Sequence, residues 1–269
     1  MADWKLRYKE MTEEQYRKAP GVNKSTLWEL RRSPIHYKYA LEHPTKDTPA
    51  LRFGRALHSA ILQPWDFEMS YAIMPNIDRR TKDGKEEYER YMRLYADKTT
   101  LTMDEMQTIS DMCVSICSDD CATDLLADTL TEVPLFWTDE STRIRCKCRL
   151  DAVKQGIIVD LKTCQDASTD HFMRDALRLG YDVQAAHYIR GYRSQHDETP
   201  EFWFLAIEKT PPYAINLIKA GDAFIDRGTM QLIDLMDKLA YCRKHRSWGG
   251  YGKNELVLPE WATIPDDID

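Results

Sequence analysis

At 269 residues, with 43% apolar and 30% charged residues, the chain has the composition of a soluble globular protein with enough length to bury a core, which excludes disordered and fibrous classes. No apolar run approaches the ~20 residues that span a bilayer, MADWKLRYKEMTEEQ has no apolar leader core, and seven cysteines without a C-x-x-C pair set aside a disulfide framework, so the expected location is cytoplasmic. The net charge of −7 does not exclude a polyanionic partner: residues 101–140 hold ten Asp or Glu and no Lys or Arg, whereas Arg143, Arg145, Lys147, Arg149, Lys154 and Lys162 follow against only Asp151 and Asp160.

In chain order, Thr12 and Gln15 of MTEEQY have capping-box spacing, and GVNKSTLWELRRSPIHYKYALEH reads as helical with a break near Pro34. ALRFGRALHSAIL is helical in pattern, and MPNIDRRTKDGKEEYERYMRLYADK begins as a polar loop and becomes a charged helix. The acidic stretch 103–128 is expected as a helix or helix pair with a solvated polar face, its Cys113, Cys117 and Cys121 sharing one stripe packed in the core. EVPLFWT starts the strands, RIRCKCRLDAV and GIIVDLKT form a hairpin, and YDVQAAHYIRGYRSQ is a helix. EFWFLAIEK and YAINLIK are strands about a Thr210-Pro211-Pro212 turn, and GDAFIDRGTMQLIDLMDKLAYCRKH is a long helix before a tail with aromatic and Pro residues. No repeat or linker interrupts the chain, so the expectation is a single domain, residues 1–269, of α/β (α+β) class with a mixed central sheet flanked by helices.

The hairpin carries the chemistry. Strand alternation puts Ile157, Val159 and Leu161 on one face, expected to be core, and Ile158, Asp160 and Lys162 on the other. A two-residue turn at Gln155-Gly156 sets Asp151 opposite Asp160; a three-residue turn would shift the register by one and separate them. Two carboxylates across a ladder repel unless a cation lies between them. Hard oxygen donors favour Mg²⁺ or Mn²⁺, which bind phosphate oxygens and acidify a bound water, with Lys162 stabilising the charge that develops on the phosphate. Arg143, Arg145, Lys147 and Arg149 recur at every second position before Asp151, a cationic track suited to DNA. The residues alone leave open an amphipathic hairpin whose polar face is simply wet.

Asp151 followed by Asp160-Leu161-Lys162 at the end of a hairpin resembles the D…(D/E)-x-K signature of the PD-(D/E)xK nuclease superfamily. GRALH upstream, EVPLFW before the hairpin and QAAHY downstream are similar in order and spacing to the RecB-type branch. With GVNKSTLWELRRSPIHYKYAL, DRRTKDGKEEYE and GYGKNELVLPEWA, the chain from about residue 15 to 262 resembles the nuclease domain of RecE-type exonucleases (exonuclease VIII); Leu150 stands where many of that family have Pro.

The resemblance implies a PD-(D/E)xK core and a metal-dependent exodeoxyribonuclease that digests linear duplex DNA 5′ to 3′, using Mg²⁺ with Mn²⁺ as a substitute. It implies metal ligation by Asp151, Asp160, His58 and the Leu161 carbonyl, with Glu132 at a second metal or its water, and Lys162 as catalytic lysine. Gln184 and Tyr188, four apart, are expected at the site, and Gly54, one turn before His58, would allow close approach of backbone or DNA. Arg79, Arg80 and Lys82 of the DRRTKDGK loop, with Arg145, Lys147 and Arg149, are the expected DNA contacts. It further implies double-stranded DNA ends as partner, a ring-like homo-oligomer, a tetramer, a RecT-type single-strand annealing protein, and a phage or prophage setting. The rivals are a single-strand- or structure-specific nuclease of the same superfamily and a DNA-end-binding module whose site has decayed.

Overall fold

The computed structural model describes residues 11–43 and 48–257; the end of the GYGKNELVLPEWA tail, from residue 258, lies outside them, as do residues 1–10. Helices α1 (Glu13–Lys18), α2 (Lys24–Glu29), α3 (Pro34–Glu42), α4 (Pro49–Leu62) and α5 (Pro64–Ser70) come first. Strand β1 (Tyr71–Ile73), α6 (Lys82–Leu94), β2 (Thr99–Leu101), α7 (Met103–Cys117) and α8 (Asp120–Leu126) follow, β1 and β2 pairing in parallel as a small separate sheet. The Thr12–Gln15 box caps α1 as the spacing requires, and Pro34 begins α3, where its missing N–H costs nothing.

Five strands form the main sheet in chain order: β3 (Leu130–Thr138), β4 (Arg145–Lys154), β5 (Ile157–Cys164), β6 (Glu201–Glu208) and β7 (Ile215–Lys219). Only β5 and β6 run parallel, joined by α9 (Thr169–Leu179) and α10 (Tyr181–Arg193); α11 (Asp222–His245) closes the order. The sheet is mixed and flanked by helices, as expected. Lys154 pairs with Ile157, so the hairpin turn has two residues, and Gly156 takes the left-handed conformation (φ 73°) that such a turn needs. At Gly180 (φ 70°) α9 ends against Trp28: a Cβ there would lie 2.7 Å from the indole.

Both faces of the sheet are covered. Val133, Leu135, Cys148, Leu150, Val153, Ile158 and Phe204 pack with Phe172 and Ala176 of α9 and Ala185 and Ile189 of α10. Ala152, Val159, Leu161, Leu205 and Ile207 pack on the other side with Ala56 and Leu57 of α4 and Ile109 and Met112 of α7. Each such aliphatic side chain contributes roughly 1.5–3 kcal/mol by leaving water. The wet polar face that the residues alone left open for β5 is thereby set aside: Ile158 and Asp160 are as buried as Val159, because the parallel crossover lays α9 and α10 over them. The cysteine stripe is corrected. α7 stops at Cys117 and Cys121 belongs to α8, so the three do not share one helix, and Cys117 and Cys121 are exposed.

Candidate active site

The site forms where the ladder fails. β3 and β4 pair at Thr131–Ala152 and at Val133–Leu150, while Glu132 and Asp151 between them make no ladder pair. Glu132 has φ 53°, a left-handed conformation that a non-glycine residue holds only when its surroundings over-determine it. The strand faces turn over here: Leu150 and Val153, three apart, join the same cluster, and Ala152 packs on the opposite side. β4 and β5 likewise pair only as far as Ala152–Val159, so Asp151 and Asp160, next in register, sit beyond the last rung. Instead of a carbonyl, the Asp151 carboxylate accepts the Leu161 N–H at 2.9 Å. The two like charges are thereby kept off a shared rung.

His58 reaches the gap from α4, its Nδ1 3.6 Å from Asp151 Oδ2, and also hydrogen-bonds the Leu161 backbone. His58, Glu132 and Asp151 each offer a donor atom within 4.8 Å of the other two. Asp160 stands outside that trio, ion-paired with Lys162 and accepting from Gln184 Nε2 at 2.5 Å. Tyr188, one turn on from Gln184, packs on Phe202 with the rings tilted (6.3 Å between centroids) and, like Gln184, lines the cleft over the site.

Burial dominates the electrostatics. It pushes Glu132 up to about 7 and Asp160 up to about 6, and raises Asp151; Arg149 opposes the shift at Glu132, and Lys162 opposes it at both aspartates. Burial, with Lys162 beside it, takes His58 down to about 4, which leaves the imidazole neutral with a lone pair to donate. For Lys162, burial acts downward, but the Asp160 and Asp151 charges outweigh it and the pKa rises. Carboxylates that burial drives toward the protonated form, beside a neutral imidazole, make a mixed oxygen and nitrogen donor set that a divalent ion fits.

The other expected contacts divide. Arg149 Nε holds Glu132 Oε2 at 2.6 Å and stays in the cleft. Lys147 is corrected as a DNA contact: it is 5% exposed, and its Nζ donates to the carbonyls of Tyr16, Arg17 and Ala19, clamping the end of α1 to the sheet. Arg145 is exposed beside Phe136. Arg79, over the Tyr88 ring, Arg80 and Lys82 are exposed but do not line the cleft. A Cβ at Gly54 would meet no atom within 4 Å among the described residues, so no described backbone approaches it closely.

The cleft above these residues measures ≈ 1620 Å³, with α1 and α4 as walls. That exceeds the size of most small-molecule pockets. Two residues with no expected role also lie here: Lys24, which lines the cleft, and Tyr181, whose ring carries Lys162 Nζ at 4.7 Å from its centroid. Tyr181 stands one helical turn before Gln184, which was a legible signal.

A family model described as a PDDEXK-like domain of unknown function (DUF3799) matches residues 23–257. Among solved structures, one from Eubacterium rectale described as a "Putative exonuclease" superposes with a TM-score of 0.58 at 14% identity, over 93% of this chain and 97% of that one. The crystal structure of SSO0001 aligns at a TM-score of 0.30 and 14% identity over 71% and 87% of the two chains, too distant to carry weight. No curated protein matches. At such identity the first likeness establishes the fold alone.

Proposed function

Because the chain belongs to the PDDEXK-like DUF3799 family, we propose that it is a divalent-metal-dependent nuclease that hydrolyses phosphodiester bonds in DNA. The observation that carries this reading is the convergence of His58, Glu132 and Asp151, which line an open cleft, next to the Asp160–Lys162 pair. His58, Asp151 and Glu132 would hold the ion, with Asp160 available once Lys162 and Gln184 release it. When bound, Mg²⁺ or Mn²⁺ polarises a phosphate oxygen and lowers the pKa of a coordinated water.

The remaining work falls to the chain's own groups. The Lys162 ammonium, kept protonated by two carboxylates, stabilises negative charge growing on the phosphate. Gln184 fixes the Asp160 carboxylate through its amide N–H, so that Lys162 is aimed by a rigid partner. Tyr188, whose phenol burial holds well above its ordinary pKa, stays neutral and so keeps its hydroxyl proton at the cleft wall. Arg149 is tied to Glu132 and becomes free for a phosphate whenever another cation takes that carboxylate.

The finer reading is exonucleolytic digestion of linear duplex DNA, 5′ to 3′, leaving 3′ single-stranded tails for annealing-type recombination. Its support is the resemblance of GVNKSTLWELRRSPIHYKYAL, ALRFGRALHSAIL, DRRTKDGKEEYE, CKCRLDAVKQGIIVDLKTCQDAS, GYDVQAAHYIRGY and GYGKNELVLPEWA to RecE-type exonucleases, and the fold shared with the Eubacterium rectale protein. A ring-like homo-oligomer, tetrameric, with a RecT-type annealing partner belongs to the same reading. No helix among the described residues is long and apolar enough to cross a membrane.

The test is a time course on end-labelled linear duplex with Mg²⁺, with Mn²⁺ and with EDTA. Nucleotide release that needs the ion and stops when the 5′ end is blocked is the expected result. Equal digestion of 5′-blocked and open ends would overturn the polarity, and no release with either ion would leave a DNA-end-binding module.

A further inference from the structure

Lys24 is a cation in the cleft with no part in the mechanism above. It opens α2, its Nζ donates to the Leu179 carbonyl at 2.6 Å, and it lies 5.1 Å from the Trp28 ring centroid and 5.9 Å from that of Tyr181. The Tyr181 ring is the one that also carries Lys162. A single aromatic ring therefore bears two ammonium groups, one at the reacting site and one beside it, an arrangement that costs mutual repulsion.

The acids whose fields reach Lys24 are committed elsewhere. Asp160 serves Lys162 and Gln184, and Asp182 serves Arg227 and Gln231. Burial and the neighbouring Lys162 charge accordingly push Lys24 down to about 8. An ammonium has three N–H donors, and Leu179 takes one. With spare donors and no dedicated counter-charge among the described residues, this half-buried cation is costly until an anion arrives. In this cleft the arriving anion is a nucleic-acid backbone.

We propose that Lys24 binds a phosphate of the substrate strand next to the one presented to Lys162, with the Tyr181 ring as the spacer between the two ammonium groups. This rests on the nuclease reading. The competing role is structural, since Leu179 is the last residue of α9 and a lysine there caps its C-terminus.

Binding of fluorescent linear duplex is measured with Ca²⁺ in place of Mg²⁺, at several salt concentrations, for wild type, Lys24→Met and Lys24→Arg, alongside melting temperatures and steady-state cleavage. The expected result for Lys24→Met is affinity weaker by about tenfold, a salt slope shallower by about one, and KM raised with kcat within a few fold. Lys24→Arg should restore most of each. Unchanged affinity and slope, or a fall in melting temperature alone, would make Lys24 only a helix cap and overturn the proposal. Should Lys24→Met fail to fold, Lys24→Gln keeps a donor for Leu179 and is judged by the same slope. A wild-type protein that binds DNA but never cuts it fails the nuclease reading and leaves the Lys24 measurement intact.

Discussion

The outer half of β4 and the gap beside its inner half each draw a lysine out of water, and their fates differ. Lys147 donates hydrogen bonds to three backbone carbonyls; burial lowers its pKa, and no carboxylate among the described residues offsets this. Lys162, on the neighbouring strand, faces Asp160 and Asp151, whose charges more than offset the same burial. The first lysine is a clamp that fixes α1 as a wall of the cleft. The second is a charge held where β5, still paired with β6, has parted from β4. Burial alone does not mark a functional lysine, and the chemistry of what surrounds it does.

The sharpest way to break this contrast is to remove each lysine. Lys162→Ala should lower kcat by at least about 10²–10³-fold, the size of losing one preorganised charge at a developing anion, with DNA binding largely retained. Cleavage within a few fold of wild type would remove Lys162 from the chemistry. Asp151→Asn should come next, weakening the ion by more than the ~10–100-fold that losing an outer-shell partner costs, read as loss of the metal-induced rise in melting temperature. Lys147→Met should instead leave the rate per folded molecule unchanged and cost about 1–3 kcal/mol of stability through its orphaned carbonyls. A rate loss without a stability loss would reverse the assignment of the two lysines.

The gap also sets a pH dependence. Glu132 is raised to about 7, so below that pH it holds a proton that an entering cation must displace. Metal affinity should therefore rise by up to about tenfold per pH unit from pH 6 to 7 and level off above, since one proton is released per ion bound. Asp160, raised to about 6, adds a second step lower down if it joins the ion. Glu132→Gln should flatten the upper part of this profile in titration calorimetry; an unchanged profile would place the ion away from Glu132.

How much of this was legible follows from the residues. Gln155-Gly156 stated the turn, and with it a register that the pairs Lys154–Ile157 and Ala152–Val159 obey. His58 and Glu132 were marked by their place in a resembled pattern, and the fold brings both to Asp151. The break in the ladder was not legible, because strand alternation assumes an unbroken pleat and nothing in EVPLFW announces a left-handed Glu132. The Lys147 clamp was hidden for another reason: its partners are carbonyls of Tyr16, Arg17 and Ala19, and backbone groups leave no mark in a sequence pattern. α9 is absent from the expected elements, although Phe172, Met173, Ala176, Leu177 and Leu179 stand at helical spacing in TDHFMRDALRL and Phe172 and Ala176 reach the core, so its signal was present in the sequence.

The smallest effect tests the basic residues that escaped structural use. Arg79 and Arg80 lie outside the cleft, Arg79 stacked on Tyr88, while Lys147 is spent on α1. If the loop meets DNA as it runs out of the cleft, Arg79→Ala with Arg80→Ala should weaken duplex binding a few fold and make the salt slope shallower by up to about two, one for each lost phosphate contact. Folded Lys147→Met protein should keep the full slope. Reducing salt dependence by cutting the clamp and not the loop would mean that the cation sealed under α1 is the one DNA reaches, and that α1 lifts when it binds.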